Sequence, residues 1–127
     1  MKKIIYTDKA PAPIGPYSQG VVNGNILYTS GQIGFDVAKN DLVLDTIENE
    51  TRTVLNNVKA IVTAAGFTLE DVVKATIFIS NMDDFARINA VYADFFNEAT
   101  APARECVQVA KLPRNVNVEI SVFAIKN

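Results

Sequence analysis

The feature that most constrains the fold is the apolar, β-branched run Val72–Ser80, which lies between two segments of helical periodicity. Such a run is typical of a strand buried on at least one face. The flanking apolar residues, at helical spacing, are Ile47, Val54, Leu55, Val58, Ile61, Val62 and Ala65 before it, and Phe85, Ile88, Val91, Tyr92, Phe95 and Phe96 after it. The sequence therefore predicts a strand that packs against two helices.

Polar residues and glycine mark the ends of these helices. Asp45 is the predicted N-cap of the first helix, and Glu48 completes a capping-box pattern three residues later. Gly66 provides the stop signal for the same helix. Asp83 or Asp84 is expected to begin the second helix.

Four further strands are predicted towards the two ends of the chain. Asn23-Gly24 favours a tight hairpin, because it lies between two short apolar runs. The predicted strands are Ser18–Val22, Ile26–Ser30, Ala103–Ala110 and Val116–Ile125. These strands and the two helices indicate one α+β or α/β domain that spans residues 1–127.

Alternation along the strands divides their side chains between two faces of a sheet. The face beneath the helices should hold the apolar sets, which are Val73, Ala75, Ile77 and Ile79, then Val107 and Val109, then Val118, Ile120, Val122 and Ala124. The uncovered face should then present Arg104, Cys106 and Glu119, together with Phe78 and Phe123. Charged and aromatic side chains together suit an interface that contains a polar pocket, so we predict a homo-oligomer.

Several absent residue types and motifs limit the chemistry. The chain has no histidine and one cysteine, so a zinc site and histidine-dependent nucleophilic catalysis are not expected. It has no GxGxxG or GxxxxGK[ST] loop for a nucleotide phosphate. The net charge of −2 and the lack of a long apolar segment make nucleic acid and membrane unexpected partners. The lone cysteine and the interrupted start after Met1–Ile5 favour a cytoplasmic location.

Short motifs distributed from Tyr6 to Ile125 resemble one known family. They are Gly15-Pro16-Tyr17-Ser18-Gln19, Ser30-Gly31-Gln32-Ile33, Asn89-Ala90-Val91-Tyr92, Pro102-Ala103-Arg104-Glu105-Cys106-Val107, Leu112-Pro113 and Val118-Glu119-Ile120. In this order they resemble the reactive intermediate deaminase family, also called RidA or YjgF-like.

The resemblance implies a chorismate-mutase-like fold, related to the ferredoxin-like fold, with a mixed sheet and two helices on one face. It also implies a homotrimer in which the sheets pack inside and the active sites lie between subunits. The short Lys111–Val116 connection would by itself predict a hairpin of the last two strands. The resemblance instead places the final strand between those that begin near Ile26 and Val72.

The function that the resemblance implies is the cofactor-free hydrolysis of 2-aminoacrylate and 2-aminocrotonate, as imines, to 2-keto acids and ammonia. Arg104 is the candidate anchor for the substrate carboxylate, because its planar fork of donors matches a carboxylate. Its alternative is an ion pair with Glu119 or Glu105. Glu119 is the candidate to orient or deprotonate water, or else a counter-ion for Arg104. Tyr17 is a candidate catalytic residue that hydrogen-bonds substrate or water, or a packing aromatic.

The remaining candidates are substrate-binding residues. Cys106 is expected to contribute its backbone, because a lone buried thiol is usually a small hydrophobe. Gly31 would allow close approach of the backbone to a ligand or would merely form a turn. Ser30 would donate a hydroxyl, and Asn89 would bond a neighbouring subunit or fill a packing gap. A binding or regulatory protein, an endoribonuclease or translation inhibitor, and a chaperone-like role remain alternatives.

Overall fold

The computed structural model describes the whole chain, Met1–Asn127, as a six-stranded sheet, a separate two-stranded hairpin and two helices. The strands are β1 (Lys2–Ile5), β2 (Gly20–Asn23), β3 (Ile26–Thr29), β4 (Phe35–Asp36), β5 (Asp41–Leu42), β6 (Val72–Ile79), β7 (Ala103–Gln108) and β8 (Val118–Ile125). The helices are α1 (Ile47–Ala64) and α2 (Phe85–Tyr92). Neither helix has the combination of length and apolar character needed to cross a membrane.

The strand order of the main sheet is β1-β2-β3-β8-β6-β7, so β8 lies between β3 and β6. This order confirms the topology that the resemblance implies, and the last two strands do not form a hairpin. β7 is an edge strand parallel to β6, whereas the other pairs are antiparallel. The arrangement is the chorismate-mutase-like α+β fold, with a mixed sheet and both helices on one face.

The hydrophobic core lies between the helices and the covered face of the sheet. It contains 22 buried residues, including Leu27 of β3, Val54 of α1 and Ile120 of β8. The predicted inward set of β8 is confirmed, and that of β6 is confirmed from Ala75 onward. The prediction that Val73 belongs to the core is wrong, because Val73 is 44% exposed. A register shift between Val72 and Lys74 turns Val72 inward instead.

The predicted face of β7 is wrong. Parallel pairing sets Arg104 opposite Ala75 and Cys106 opposite Ile77. Directly paired residues point to the same side of a sheet, so Arg104 and Cys106 lie on the helix-covered side. Val107, which was expected beneath the helices, is 44% exposed on the opposite side, which we call the open face.

The prediction for α1 is confirmed at its C-terminal end but not at its N-terminal end. Gly66 adopts φ 82° just beyond the helix and confirms the predicted stop. The N-cap is Thr46, whose hydroxyl accepts the N–H of Asn49, so the predicted capping box of Asp45 and Glu48 is wrong. Asp45 instead accepts a bond from the Asn49 side chain, because the helix begins one residue later than expected.

Asp84 is the N-cap residue of α2, which confirms the predicted start, although its side chain accepts no capping bond. Asn81 accepts such a bond earlier, from the N–H of Asp83 in the 3₁₀ turn Met82–Asp84. Two other elements differ from the prediction. The start of the chain forms β1 and pairs with β2. The segment after Gly34, which was expected to be loop, contains the β4–β5 hairpin.

A buried carboxylate joins α1 to the start of β8. Glu50 is fully buried, and its Oε2 accepts the backbone N–H groups of Asn117 at 2.7 Å and Val118 at 3.2 Å. Its Oε1 accepts the Asn117 side-chain amide at 2.7 Å. A Cβ at Gly34 would lie 2.9 Å from the Glu50 Cγ, so Gly34 leaves the space that this contact needs. Glu50 thus fixes the strand that carries Glu119 against the helical layer.

We expect Glu50→Gln to lower the free energy of unfolding by about 1–3 kcal/mol, because an amide cannot accept all three bonds and leaves a buried donor unpaired. Urea denaturation at one fixed protein concentration measures this, since association would also contribute to stability. Glu48→Gln is the matched control, because Glu48 lies at the surface beside Arg87 and should have little effect. Equal loss in the two variants would contradict the role of Glu50.

Candidate functional site

The side chain of Arg104 is held by three residues of α2. Its Nη1 donates to Asn89 Oδ1 at 2.7 Å. Its guanidinium carbon lies 4.8 Å from the ring centre of Tyr92 and 5.5 Å from that of Phe85, distances at which aromatic rings attract a cation. The guanidinium therefore has a fixed position before any ligand binds.

Arg104 borders a cleft of about 490 Å³, to which Asn89, Phe96 and Pro102 also contribute. No carboxylate of the chain pairs with Arg104. Glu105 bonds Lys74 at 3.1 Å on the open face, so the alternative of an ion pair between Arg104 and Glu105 is wrong. A fixed guanidinium without a carboxylate partner can receive a carboxylate ligand.

Cys106 follows Arg104 on the same side of β7 and packs against the core. Burial raises the pKa of its thiol, and the positive charge of Arg104 opposes this only in part. The neutral thiol is therefore favoured at neutral pH, which fits the interpretation of Cys106 as a small hydrophobe rather than a nucleophile.

Glu119 lies on the open face of β8, opposite Phe78 of β6. Its half-buried carboxyl takes part in no ion pair, and desolvation raises its pKa. Gln32 exchanges two backbone bonds with Ile120, at 2.8 and 3.1 Å, which brings Gly31 beside Glu119. A Cβ at Gly31 would overlap Glu119 Oε2, so any larger residue would displace the carboxylate.

Tyr17 and Ser30 belong to the same side of the molecule as Gly31. Tyr17 is 52% exposed and borders a cleft of about 300 Å³ together with Gly31. Its hydroxyl accepts the N–H of Ile14 at 3.3 Å, and the Ser30 hydroxyl donates to the carbonyl of Ser18. The structure thus brings Tyr17, Ser30, Gly31 and Glu119 together, and we call them the glutamate half-site.

Asn89, Arg104 and Cys106 form a second group, the arginine half-site, on the helix-covered side of the sheet. Arg104 and Glu119 therefore lie on opposite faces of the sheet within one chain. The prediction that they share a face is wrong, and so is the alternative that they form an ion pair within the chain. Each half-site has an unpaired ionisable group, and neither alone offers both an anchor and a base.

The residues that support these groups are not evident from the sequence patterns. The spacing of Phe85 and Tyr92 predicts only a core stripe, yet their rings border the guanidinium of Arg104. Gln19 appeared only within a motif, but its buried side chain bonds the carbonyl groups of Thr7, Ala10 and Pro11. Those bonds fix the segment before Tyr17. Phe85 and Tyr92 each lie about one helical turn from Asn89, and this spacing is the signal that could have identified them.

Known proteins match this chain over nearly its full length. A family model described as endoribonuclease L-PSP matches residues 7–126. The 2-iminobutanoate/2-iminopropanoate deaminase of Escherichia coli (strain K12) is 48% identical over 128 residues, which cover 99% of each protein. A crystal structure from Thermotoga maritima MSB8 matches with a TM-score of 0.97 at 53% identity, covering 100% of this chain and 99% of that one.

The crystal structure of E. coli TdcF with bound serine matches with a TM-score of 0.92 at 46% identity, covering 98% of this chain and 99% of that one. Family model, relatives and solved structures thus agree with the motifs in the sequence. The chain belongs to the reactive intermediate deaminase family, whose family model is described as endoribonuclease L-PSP.

Proposed function

We propose that this protein hydrolyses small 2-imino acids to 2-keto acids and ammonia, at sites formed between the subunits of a homotrimer. The observation that carries the proposal is the separation of the two half-sites on opposite faces of one sheet. The arginine half-site of one subunit supplies the carboxylate anchor. The glutamate half-site of a neighbouring subunit supplies the group that activates water.

The open face has the composition of a subunit interface. One row crosses all six strands through Ile4, Val21, Tyr28, Phe123, Lys74 and Ala103. Tyr28 is 41% and Phe123 46% exposed, and their rings meet edge to face at 5.1 Å. Exposed aromatic residues in one contiguous patch mark a protein contact, and rings are enriched in such contacts. In a closed ring of three subunits, each subunit would cover this row of residues on its neighbour.

The arrangement suits a reaction in which substrate and water must be oriented but the substrate carbon needs little activation. The carbon of an imine is already electrophilic, so a positioned water attacks it while Glu119 accepts a proton from that water. The carbon–nitrogen double bond becomes a single bond in a carbinolamine. Glu119 returns the first proton to the nitrogen and then passes on the second, from the new hydroxyl, as the intermediate collapses to the ketone and expels ammonia. One water is consumed, and no electrons are exchanged with another reagent.

Three of the other candidates have roles consistent with their positions. Arg104 holds the substrate carboxylate through two parallel bonds, and Asn89 keeps the guanidinium in place. Gly31 admits the backbone next to the carboxyl of Glu119. The names of relatives support the reaction class, since an E. coli relative at 48% identity is named a 2-iminobutanoate/2-iminopropanoate deaminase.

We expect Arg104→Lys to reduce kcat/KM for 2-iminopropanoate at least about tenfold, because a single ammonium cannot reproduce the paired bonds to a carboxylate. A serine dehydratase can generate the enamine in situ, and the rate of pyruvate release reports its hydrolysis. Arg52→Lys is the control, because Arg52 lies at the surface, paired with Asp94. If the wild-type protein binds 2-oxobutanoate but does not accelerate pyruvate release, the binding-protein alternative is correct.

Mixed trimers test whether the site is shared between subunits. Arg104→Ala and Glu119→Gln proteins should each retain only a small residual activity when alone. Unfolding and refolding an equal mixture should restore about a quarter of the wild-type activity, because that fraction of interfaces combines an intact Arg104 with an intact Glu119. A mixture that contains folded trimers but has only the residual activity would contradict the shared site.

The pH profile distinguishes a base from a counter-ion. A base must be deprotonated, so activity should be present above the pKa of Glu119 and be lost as the pH falls through it. Burial raises that pKa from its ordinary value, and a neighbour's Arg104 would oppose this rise in the trimer, so the prediction is the presence of an acid limb and not its position. Measuring kcat/KM across the acidic range should show a limb that disappears from the residual activity of Glu119→Gln. An unchanged limb in the variant would assign Glu119 as a counter-ion only.

A further inference from the structure

Two of the four arginines are not paired with a carboxylate. Arg52 bonds Asp94 at 2.9 Å, and Arg87 bonds Glu48 at 2.7 Å. Arg104 and Arg114 take part in no ion pair, and each borders a cleft. Because Arg104 is the proposed carboxylate anchor, the position of Arg114 bears on what else the site can bind.

Arg114 lies in the turn Pro113–Asn115, which joins β7 to β8. Its guanidinium carbon is 5.8 Å from the ring centre of Phe35, in β4. Both residues border the same cleft as Tyr17 and Gly31 of the glutamate half-site. The ring orients the guanidinium but leaves its N–H donors without a carboxylate partner.

The backbone conformation at this turn is unfavourable for Arg114, whereas Asn115 tolerates it. Arg114 has φ 55° and ψ 23°, and Asn115 follows with φ 57°. This left-handed region is open to glycine without steric cost but disfavours a residue with a long side chain. Strained positions of this kind cluster at binding and catalytic sites, which agrees with a requirement for the arginine side chain.

We propose that Arg114 determines specificity by binding a second carboxylate, at the end of the substrate side chain. The site would then prefer imines of dicarboxylic amino acids over imines with an apolar side chain. This inference rests on the proposed function, because Arg104 of a neighbouring subunit must hold the first carboxylate. A guanidinium fork matches the second carboxylate as it does the first, so the two arginines would fix both ends of the substrate.

The keto-acid products allow a binding test that does not depend on turnover. We would measure 2-oxoglutarate and 2-oxobutanoate by calorimetry with the wild-type trimer and with Arg114→Gln. The wild type should bind 2-oxoglutarate more tightly than 2-oxobutanoate. Arg114→Gln should raise the Kd for 2-oxoglutarate about tenfold and change the Kd for 2-oxobutanoate less than about twofold. Equal binding of the two acids by the wild type, or equal losses in the variant, would overturn the proposal.

Two further variants separate this inference from its foundations. Arg114→Gly should be at least as stable as the wild type to urea, because glycine adopts the left-handed backbone freely, and it should lose the preference for 2-oxoglutarate. A preference that persists in this folded variant would overturn the role of Arg114. Arg104→Lys should raise the Kd for both acids. If neither Kd changes, Arg104 does not bind the carboxylate and the proposed function is wrong, whatever the result for Arg114.

Discussion

The parallel pairing of β7 with β6 is the constraint on which the site depends. It sets Arg104 in register with Ala75, and therefore on the side of the sheet where the crossover helix α2 lies. A parallel pair needs such a crossover, so the same connection that makes the sheet possible also delivers the rings and the amide that border the guanidinium. Anchor and support thus come from one βαβ unit.

Much of the fold could be predicted from local patterns, because periodicity and turn chemistry act over a few residues. Both helices, the Asn23-Gly24 hairpin and the inward sets of β6 and β8 follow this logic. The bulge after Val72 could not be predicted, since nothing in an apolar, β-branched run marks where its register slips. The position of β8 between β3 and β6 came from the family resemblance alone.

The candidate residues could be named from the sequence, but their grouping could not. Apolar residues at Val107 and Val109 made one side of β7 look like the core side. That inference fails when the other face of the sheet is itself apolar, as Phe123 and Tyr28 make it here. Alternation reports that two faces differ, and only strand pairing tells which of them the helices cover.

Assembly and chemistry are coupled through the two unpaired groups. In the single chain, Glu119 is desolvated without a nearby cation, which disfavours its ionised form. In the proposed trimer, a neighbour's Arg104 would enter the same cleft and favour the carboxylate, the form that can accept a proton from water. Once substrate binds the guanidinium, the substrate carboxylate opposes that effect, so Glu119 becomes a stronger base towards the attacking water. The interface would then set both the geometry of the reaction and the proton affinity of its base.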